Sequence, residues 1–365
     1  MTADAVGGVW THVLELAAAL SASGITVALA TMGPRPSSRQ RSAALAIPGL
    51  QLFESEFRLP WMNDPWPDVG AAGDWLLGIE ARFGADIIHL SEPVFGALPW
   101  NSPVIAVAHS CVLSWWAAVH SEHAPPTWER YRLAMRDGLA AADAVVAPSR
   151  FMLGELDRHY GVRGGRVVYN GRDGTRFQVG KKEPFVLSAG RVWDPAKNMA
   201  ALDEAAAERS LTVRVAGDAR PPAGAPDFVP TRLRLEGVLD ETQLATLMSR
   251  AAIFALPARY EPFGLAVLEA ALSGCALVLS DIPSLRELWH GAAVFVAPDD
   301  AAWLRRALAS LMESEPRRAA LGESARRRAS GLTPARMAAG YASVYAELLV
   351  AEAVPPVQEA ATCAS

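Results

Sequence analysis

The chain has 365 residues and a formal net charge of −5, with 51% apolar and 20% charged residues. That length asks for two hydrophobic cores rather than one. The composition is that of a globular protein: the acidic balance argues against generic nucleic-acid binding, and no run of about eighteen uncharged apolar residues is present to cross a membrane.

At the start, VWTHVLELAAALSASG places Val9, Val13, Leu16 and Leu20 on one face and closes on Gly24, so a helix follows Gly7-Gly8. A strand should precede such a glycine turn. MTADAV supplies only its last part, so the first strand is expected to be stunted, or the reading frame to begin upstream of Met1. The same segment carries Asp4 and Glu15 where a secretory leader needs basic and then unbroken apolar residues, and no leader is expected. The spacing then predicts strands over 25–31, 86–90, 103–110, 143–149 and 166–170. A break follows at 171–184, where glycines and charges replace the apolar rhythm. Strands over 184–190, 212–217, 232–237, 253–258, 276–280 and 293–298 repeat the pattern. Strands alternating with helical stretches define parallel α/β sheets, here two Rossmann-like domains facing across a cleft. Ligands of such sheets bind beyond the carboxyl ends of the strands, where this chain places Gly, Ser, Pro, His and Asn. The Ala/Pro-rich tail 350–365 is expected to be mobile. Cys111, Cys275 and Cys363 are too far apart for a disulfide framework or a CxxC metal pair, which points to a reducing, cytoplasmic setting.

Chemistry concentrates in IFALPARYEPFGLAVLEAALSGC (253–275), which reads as strand, loop and helix. Pro262 suits a helix entry and Gly264 permits close backbone approach to a ligand. The free N–H groups and partial positive charge of the helix start favour phosphate. Glu261 would lie beside that anion and Glu269 roughly two turns below it on the same face. Glu269 sits in an apolar run with no polar face, so its carboxylate needs a partner. Carboxylates near phosphate are tolerable if each accepts hydrogen bonds from a neutral diol, which suits a sugar nucleotide. Counter-charge comes from SAGRVWDPAKN (188–198), where Arg191 and Lys197 follow a strand end and could neutralise a departing diphosphate. Taken singly, each feature has a plainer explanation: a glutamate at a helix start, or solvated loop cations. The combination favours a site.

These segments, with GGVWTHVLELA near the start, PSRFMLGEL (148–156) and VVYNGRDGTRF (167–177), resemble retaining glycosyltransferases of the GT-B fold, family 4 in particular. The resemblance implies an N-terminal acceptor domain over 1–172 and a nucleotide-sugar domain over 173–333. It also implies a C-terminal helix at about 334–350 that returns to the first domain. It assigns catalytic roles to His109, Arg191, Lys197 and Glu261. Gly7, Gly8, Gly190, Gly217, Phe263, Gly264, Leu265 and Glu269 become donor-binding residues, Glu261 meeting the transferred sugar and Glu269 the ribose. It implies no metal and no cofactor beyond the nucleotide-diphosphate sugar, and a front-face displacement in which the leaving phosphate helps deprotonate the acceptor. Two departures stand out: Ala258 replaces a common serine, and the link reads NGRD rather than NGVD, with Arg172 in place of the valine.

The acceptor is left open between a carbohydrate, a lipid-linked glycan and a small molecule. Eight of the eleven tryptophans precede residue 130, and LPWMNDPWPD (59–68) and CVLSWWAAVHSEH (111–123) are the stretches that would meet an acceptor or sit weakly at a membrane surface. Rival readings are a sugar-nucleotide epimerase and a non-catalytic or N-terminally truncated sugar-nucleotide-binding protein. An NAD-dependent oxidoreductase would want G-x-G-x-x-G after a strand, and GGVWTH does not supply it.

Overall fold

The computed structural model describes residues 1–207, 211–220 and 228–353. The first half runs β1 (Thr2–Asp4), α1 (Gly8–Ser21), β2 (Val27–Met32), α2 (Ser38–Leu45), β3 (Leu50–Glu54), α3 (Trp66–Phe83) and β4 (Ile88–Leu90). It continues through β5 (Val104–Val107), α4 (Val112–His120), α5 (Glu129–Ala141), β6 (Ala144–Ala147), α6 (Arg150–Tyr160) and β7 (Arg166–Val167). The second half contains β8 (Glu183–Ala189), α7 (Met199–Ala205), β9 (Thr212–Ala216), β10 (Arg234–Gly237), α8 (Glu241–Arg250), β11 (Ala251–Leu256) and α9 (Leu265–Leu272). After these come β12 (Ala276–Ser280), α10 (Pro283–Trp289), β13 (Val294–Val296), α11 (Ala301–Glu313), α12 (Glu315–Ala329) and α13 (Pro334–Ala353).

Every strand pair is parallel. The second half forms one six-stranded sheet in the order β10-β9-β8-β11-β12-β13. Its order reverses between β8 and β11, and in a doubly wound sheet that switch point opens a crevice at the carboxyl edge. Alternation along the strands fills both faces: Leu187 and Leu277 pack with Phe254 and Val267 on one side, Val186 and Val278 with Leu202 and Leu308 on the other.

In the first half the hydrogen-bonded ladders are β1-β2-β3 and β4-β5-β6-β7. β1 has three residues, extended by Met1, whose amino group donates to Ala28 O (2.7 Å) while its carbonyl accepts from Ala30 N (2.8 Å). Where β1 meets β4, a side chain replaces a ladder bond: Ser91 N donates to Thr2 Oγ1 at 2.8 Å. β3 was not anticipated from the sequence. Only Leu50 is fully buried in it, and a five-residue edge strand with Gln51 exposed carries little periodic signal.

The chain crosses between halves twice, side by side. Arg172 N donates to Leu332 O (3.1 Å), and a Cβ on Gly171 would fall 2.2 Å from Thr333 O, so the link needs glycine for close approach. After the second crossing, α13 lies on α1: Met337, Tyr341 and Val344 are buried with Leu16, Leu20, Ile105 and Val146. Residues 354–365, most of the tail read as mobile and Cys363 with it, lie outside the described residues. No helix among the described residues is long and apolar enough to cross a membrane.

Two sequence expectations need correction here. The helix after strand β11 starts at Leu265, with Gly264 as N-cap at φ 90°, not at Pro262. Glu261 is in the loop, as its sequence position suggests, but it does not share a helical face with Glu269, because a left-handed glycine turn separates them. The run Arg326-Arg327-Arg328 suggests a solvated helix face, but Arg328 instead donates to Leu288 O and satisfies the carbonyl end of α10.

Candidate active site

The crevice at the β8/β11 switch is lined by the two loops that the sequence singled out. They are stitched together by two hydrogen bonds, backbone Arg259 N to Ala196 O (2.8 Å) and side-chain Asn198 Nδ2 to Pro257 O (2.9 Å). Within this frame Lys197 Nζ donates to Glu261 Oε2 at 2.6 Å, and both side chains are largely buried, at 17% and 15% exposure. Two candidates 64 residues apart thus form one charged pair.

Gly190 and Gly217 stand at the ends of β8 and β9. A Cβ on Gly217 would lie 1.8 Å from Gly190 O, and one on Gly190 would meet the Lys197 stem at 3.4 Å. With φ of 153° and 147°, both positions need glycine, and their backbones lay the floor under Lys197. Arg191 is more open. Its Nη2 donates to Asp194 Oδ2 (2.6 Å), while Asp194 Oδ1 accepts from Trp115 Nε1 (3.2 Å), a side chain of α4 in the other half. Asp194 is buried and fixes Arg191 at the mouth of the crevice. Across from it, burial pushes Asp4 up to about 6, opposed by the Val6 amide and the charge of Arg191.

Two helix starts converge opposite this pair. α1 begins at Gly8 after Gly7 (φ 86°), and a Cβ on Gly8 would sit 3.4 Å from Leu265 Cδ1 at the start of α9. In α9 the first amide to close a turn is Val267 N, to Gly264 O at 3.0 Å, which leaves the amides of Leu265 and Ala266 without an acceptor among the described residues. Phe263, also among the expected donor-binding residues, has its side chain buried in the core of the second half. The starts of α1 and α9 thus meet at Gly8 and Leu265, and helix N-termini favour anions.

His109 follows β5 and its ring lies 4.5 Å from that of His12, edge to face. Burial pushes His109 down to about 4, and its Nε2 has no hydrogen-bond partner among the described residues. The ring should thus be neutral in neutral buffer. Its ring proton and nitrogen resonances are expected not to titrate between pH 7 and 5.5; a midpoint near the usual value of 6.5 would contradict this placement.

Tyr260, not singled out by the sequence, ties the halves together at this point. Its hydroxyl shares hydrogen bonds with Ser110 Oγ (3.1 Å) and Ser114 Oγ (2.7 Å) and accepts from Cys111 N (3.4 Å). Tyr260 precedes Glu261 and Ser110 follows His109, so this tether brings the two candidate catalytic side chains to the same part of the cleft. Ser149 Oγ adds a second bond, to Pro262 O at 2.7 Å.

Glu269 is in the middle of α9, buried, and burial pushes it up to about 7 against the nearby Arg172 charge. Its expected partner is thus the residue that departs from the family's link motif: Arg172 Nε lies 2.9 Å from Glu269 Oε1. The signal in the sequence was NGRD itself, whose consequence no local pattern reveals.

Two family descriptions match this chain in tandem: Glycosyltransferase Family 4 over residues 6–176 and Glycosyl transferases group 1 over residues 173–328. Among curated proteins, glycogen synthase of Mycobacterium tuberculosis is 26% identical over 347 residues, covering 84% of this chain and 83% of that protein. Among solved structures, sucrose-phosphate synthase from Thermosynechococcus elongatus superposes with a TM-score of 0.78 at 20% identity, over 95% of this chain and 94% of the other. Anabaena HepE, solved with UDP-glucose, superposes with a TM-score of 0.73 at 18% identity, over 94% and 96%. The fold is GT-B, and the chain belongs to the glycosyltransferases described by these two domains. It is an enzyme that moves a sugar from a nucleotide-sugar donor.

Proposed function

We propose that the chain is a retaining, metal-independent hexosyltransferase that uses the crevice between its halves. The observation that carries this reading is the Lys197–Glu261 pair, 2.6 Å apart at the switch point, with Glu261 just ahead of the start of α9. Lys197, Arg191 and the amides of Leu265 and Ala266 would hold the diphosphate and take up the charge that grows as the glycosidic bond breaks. Gly7 and Gly8 would let the backbone of α1 approach the same phosphates. Glu261 would accept hydrogen bonds from the transferred sugar, neutral His109 would contact that sugar from the opposite wall, and Glu269 would take the ribose diol. The acceptor oxygen attacks the anomeric carbon on the face from which the diphosphate leaves. The acceptor's proton passes to a departing phosphate oxygen, so the configuration is kept and no enzyme nucleophile is needed.

Residues 1–172 would bind the acceptor, a glycan, lipid-linked sugar or small molecule, with Trp115 at the cleft edge and half-exposed Trp61 at the surface. Weak peripheral membrane association and a cytoplasmic setting belong to this same proposal. HepE binds UDP and UDP-glucose. A uridine donor is accordingly the first to try here.

Positive charge from side chains and helix ends supports the metal-independent part, since it does the work a cation does elsewhere. Among the described residues no three His, Cys, Asp or Glu side chains converge to hold a metal. Nucleoside diphosphate release should be unchanged within about twofold in excess EDTA. Complete loss, restored by manganese, would contradict it.

A further inference from the structure

Beneath the two helix starts lies a charge cluster of which the reaction as described uses only Glu269. Arg172 is 2% exposed and reaches three carboxylates on three elements. Its Nη1 donates to Glu15 Oε1 on α1, its Nη2 lies 3.3 Å from Glu241 Oε2 on α8, and its Nε lies 2.9 Å from Glu269 Oε1 on α9. Arg176 joins from the solvent side, 2.9 Å from Glu241 Oε1. Arg172, Glu15 and Glu269 are enclosed, while Glu241 and Arg176 reach solvent. Buried charge of this kind persists only when it is paired.

Of the three contacts only the one to Glu15 is an aligned hydrogen bond, and those to Glu241 and Glu269 are ion pairs. The Nε–H of Arg172 has no hydrogen-bond partner among the described residues, so its approach to Glu269 is one of charge without an aligned hydrogen bond. The Glu269 oxygens are left free to accept from a ligand's hydroxyls. Glu15 lies seven positions past Gly8, and Glu269 four positions past Leu265. Arg172 therefore joins, about one to two turns below the diphosphate site, the two helices whose ends form it.

We infer that Arg172 is a positioning residue of the donor site: it holds the Glu269 carboxylate for the ribose diol and ties it to α1 of the other half through Glu15. The inference rests on the assignment of Glu269 to the ribose and deepens it. A valine, which the related link motif carries, could make neither contact. In this chain the ribose subsite is built by a residue of the inter-domain link as well as by α9.

The test reads ribose recognition directly, by calorimetric titration of UDP against 2′-deoxy-UDP, with the ADP and GDP pairs alongside for other bases. The wild type is expected to prefer the ribonucleotide by at least about tenfold, the loss expected when a charged acceptor forfeits a hydrogen-bond donor. Arg172→Met should reduce that preference to about threefold or less, and Arg172→Lys, a point charge that cannot reach Glu15 and Glu269 together, should give a value between the two. If Arg172→Met leaves too much unpaired charge to fold, Glu15→Gln/Arg172→Met removes one buried carboxylate with the guanidinium and should show the same reduced preference. A merely structural Arg172 would lower stability and leave the ratio untouched. A wild-type ratio preserved in the neutral variants overturns the inference alone. A wild type indifferent to the 2′-hydroxyl with every base overturns the ribose assignment as well.

Discussion

Replacing Lys197 with alanine is expected to cut turnover at least about 100-fold, because removing one donor to charge that develops in the transition state commonly costs about 3 kcal/mol. The structure gives a second reason for a large effect. Lys197 and Glu261 are both mostly enclosed and 2.6 Å apart, so loss of the cation leaves the Glu261 carboxylate without its partner. Arg191→Ala should act in the same direction, since its guanidinium is held at the crevice mouth by buried Asp194. Rates of nucleoside diphosphate release at saturating donor would show this. Near-normal turnover with both residues replaced would remove the phosphate clamp from the account.

Glu261→Ala and Glu269→Ala are expected to fail differently. Glu261 is in the loop at the strand end beside Lys197, where the transferred sugar would lie, so its loss should lower kcat by about 100-fold and leave nucleotide affinity within about threefold. Glu269 is one helical turn inside α9 and meets no diphosphate, so its loss should weaken nucleotide binding by about tenfold or more. Titration of the free nucleoside diphosphate against both variants separates the two roles. If Glu261→Ala loses affinity and Glu269→Ala does not, the assignment is reversed.

Most of the sheet architecture could be read because buried parallel strands are continuous apolar runs; 184–190, 253–258 and 276–280 coincide closely with β8, β11 and β12. β3 escaped because an edge strand buries one residue in five and alternates weakly. The two loops of the crevice were legible for a different reason. They end long apolar strands with glycine, proline and paired charges, which no core requires. What could not be read was contact across the halves. Tyr260 looked like one more aromatic beside the glutamate motif, yet its hydroxyl meets Ser110 and Ser114, about 150 residues away, as the 150- and 146-residue separations record. Arg172 appeared only as a departure at a link. Its reach to Glu15, Glu241 and Glu269 depends on how three helices are stacked, which periodicity does not encode. The helix start was misplaced because proline favours a first turn in general, whereas here Gly264 takes a left-handed conformation and delays the helix to Leu265.

The central claim is that this crevice cleaves a nucleotide-sugar donor through the Lys197–Glu261 pair. The direct measurement is nucleoside diphosphate release from a panel of UDP-, ADP- and GDP-sugars, with wild type and a Lys197→Ala/Glu261→Ala variant side by side. The wild type is expected to release nucleoside diphosphate from at least one donor, through slow transfer to water or faster transfer to an added acceptor, and the variant to fall at least about 100-fold below it. Equal release by both proteins, or no cleavage and no binding of any donor by the folded wild type, would contradict it.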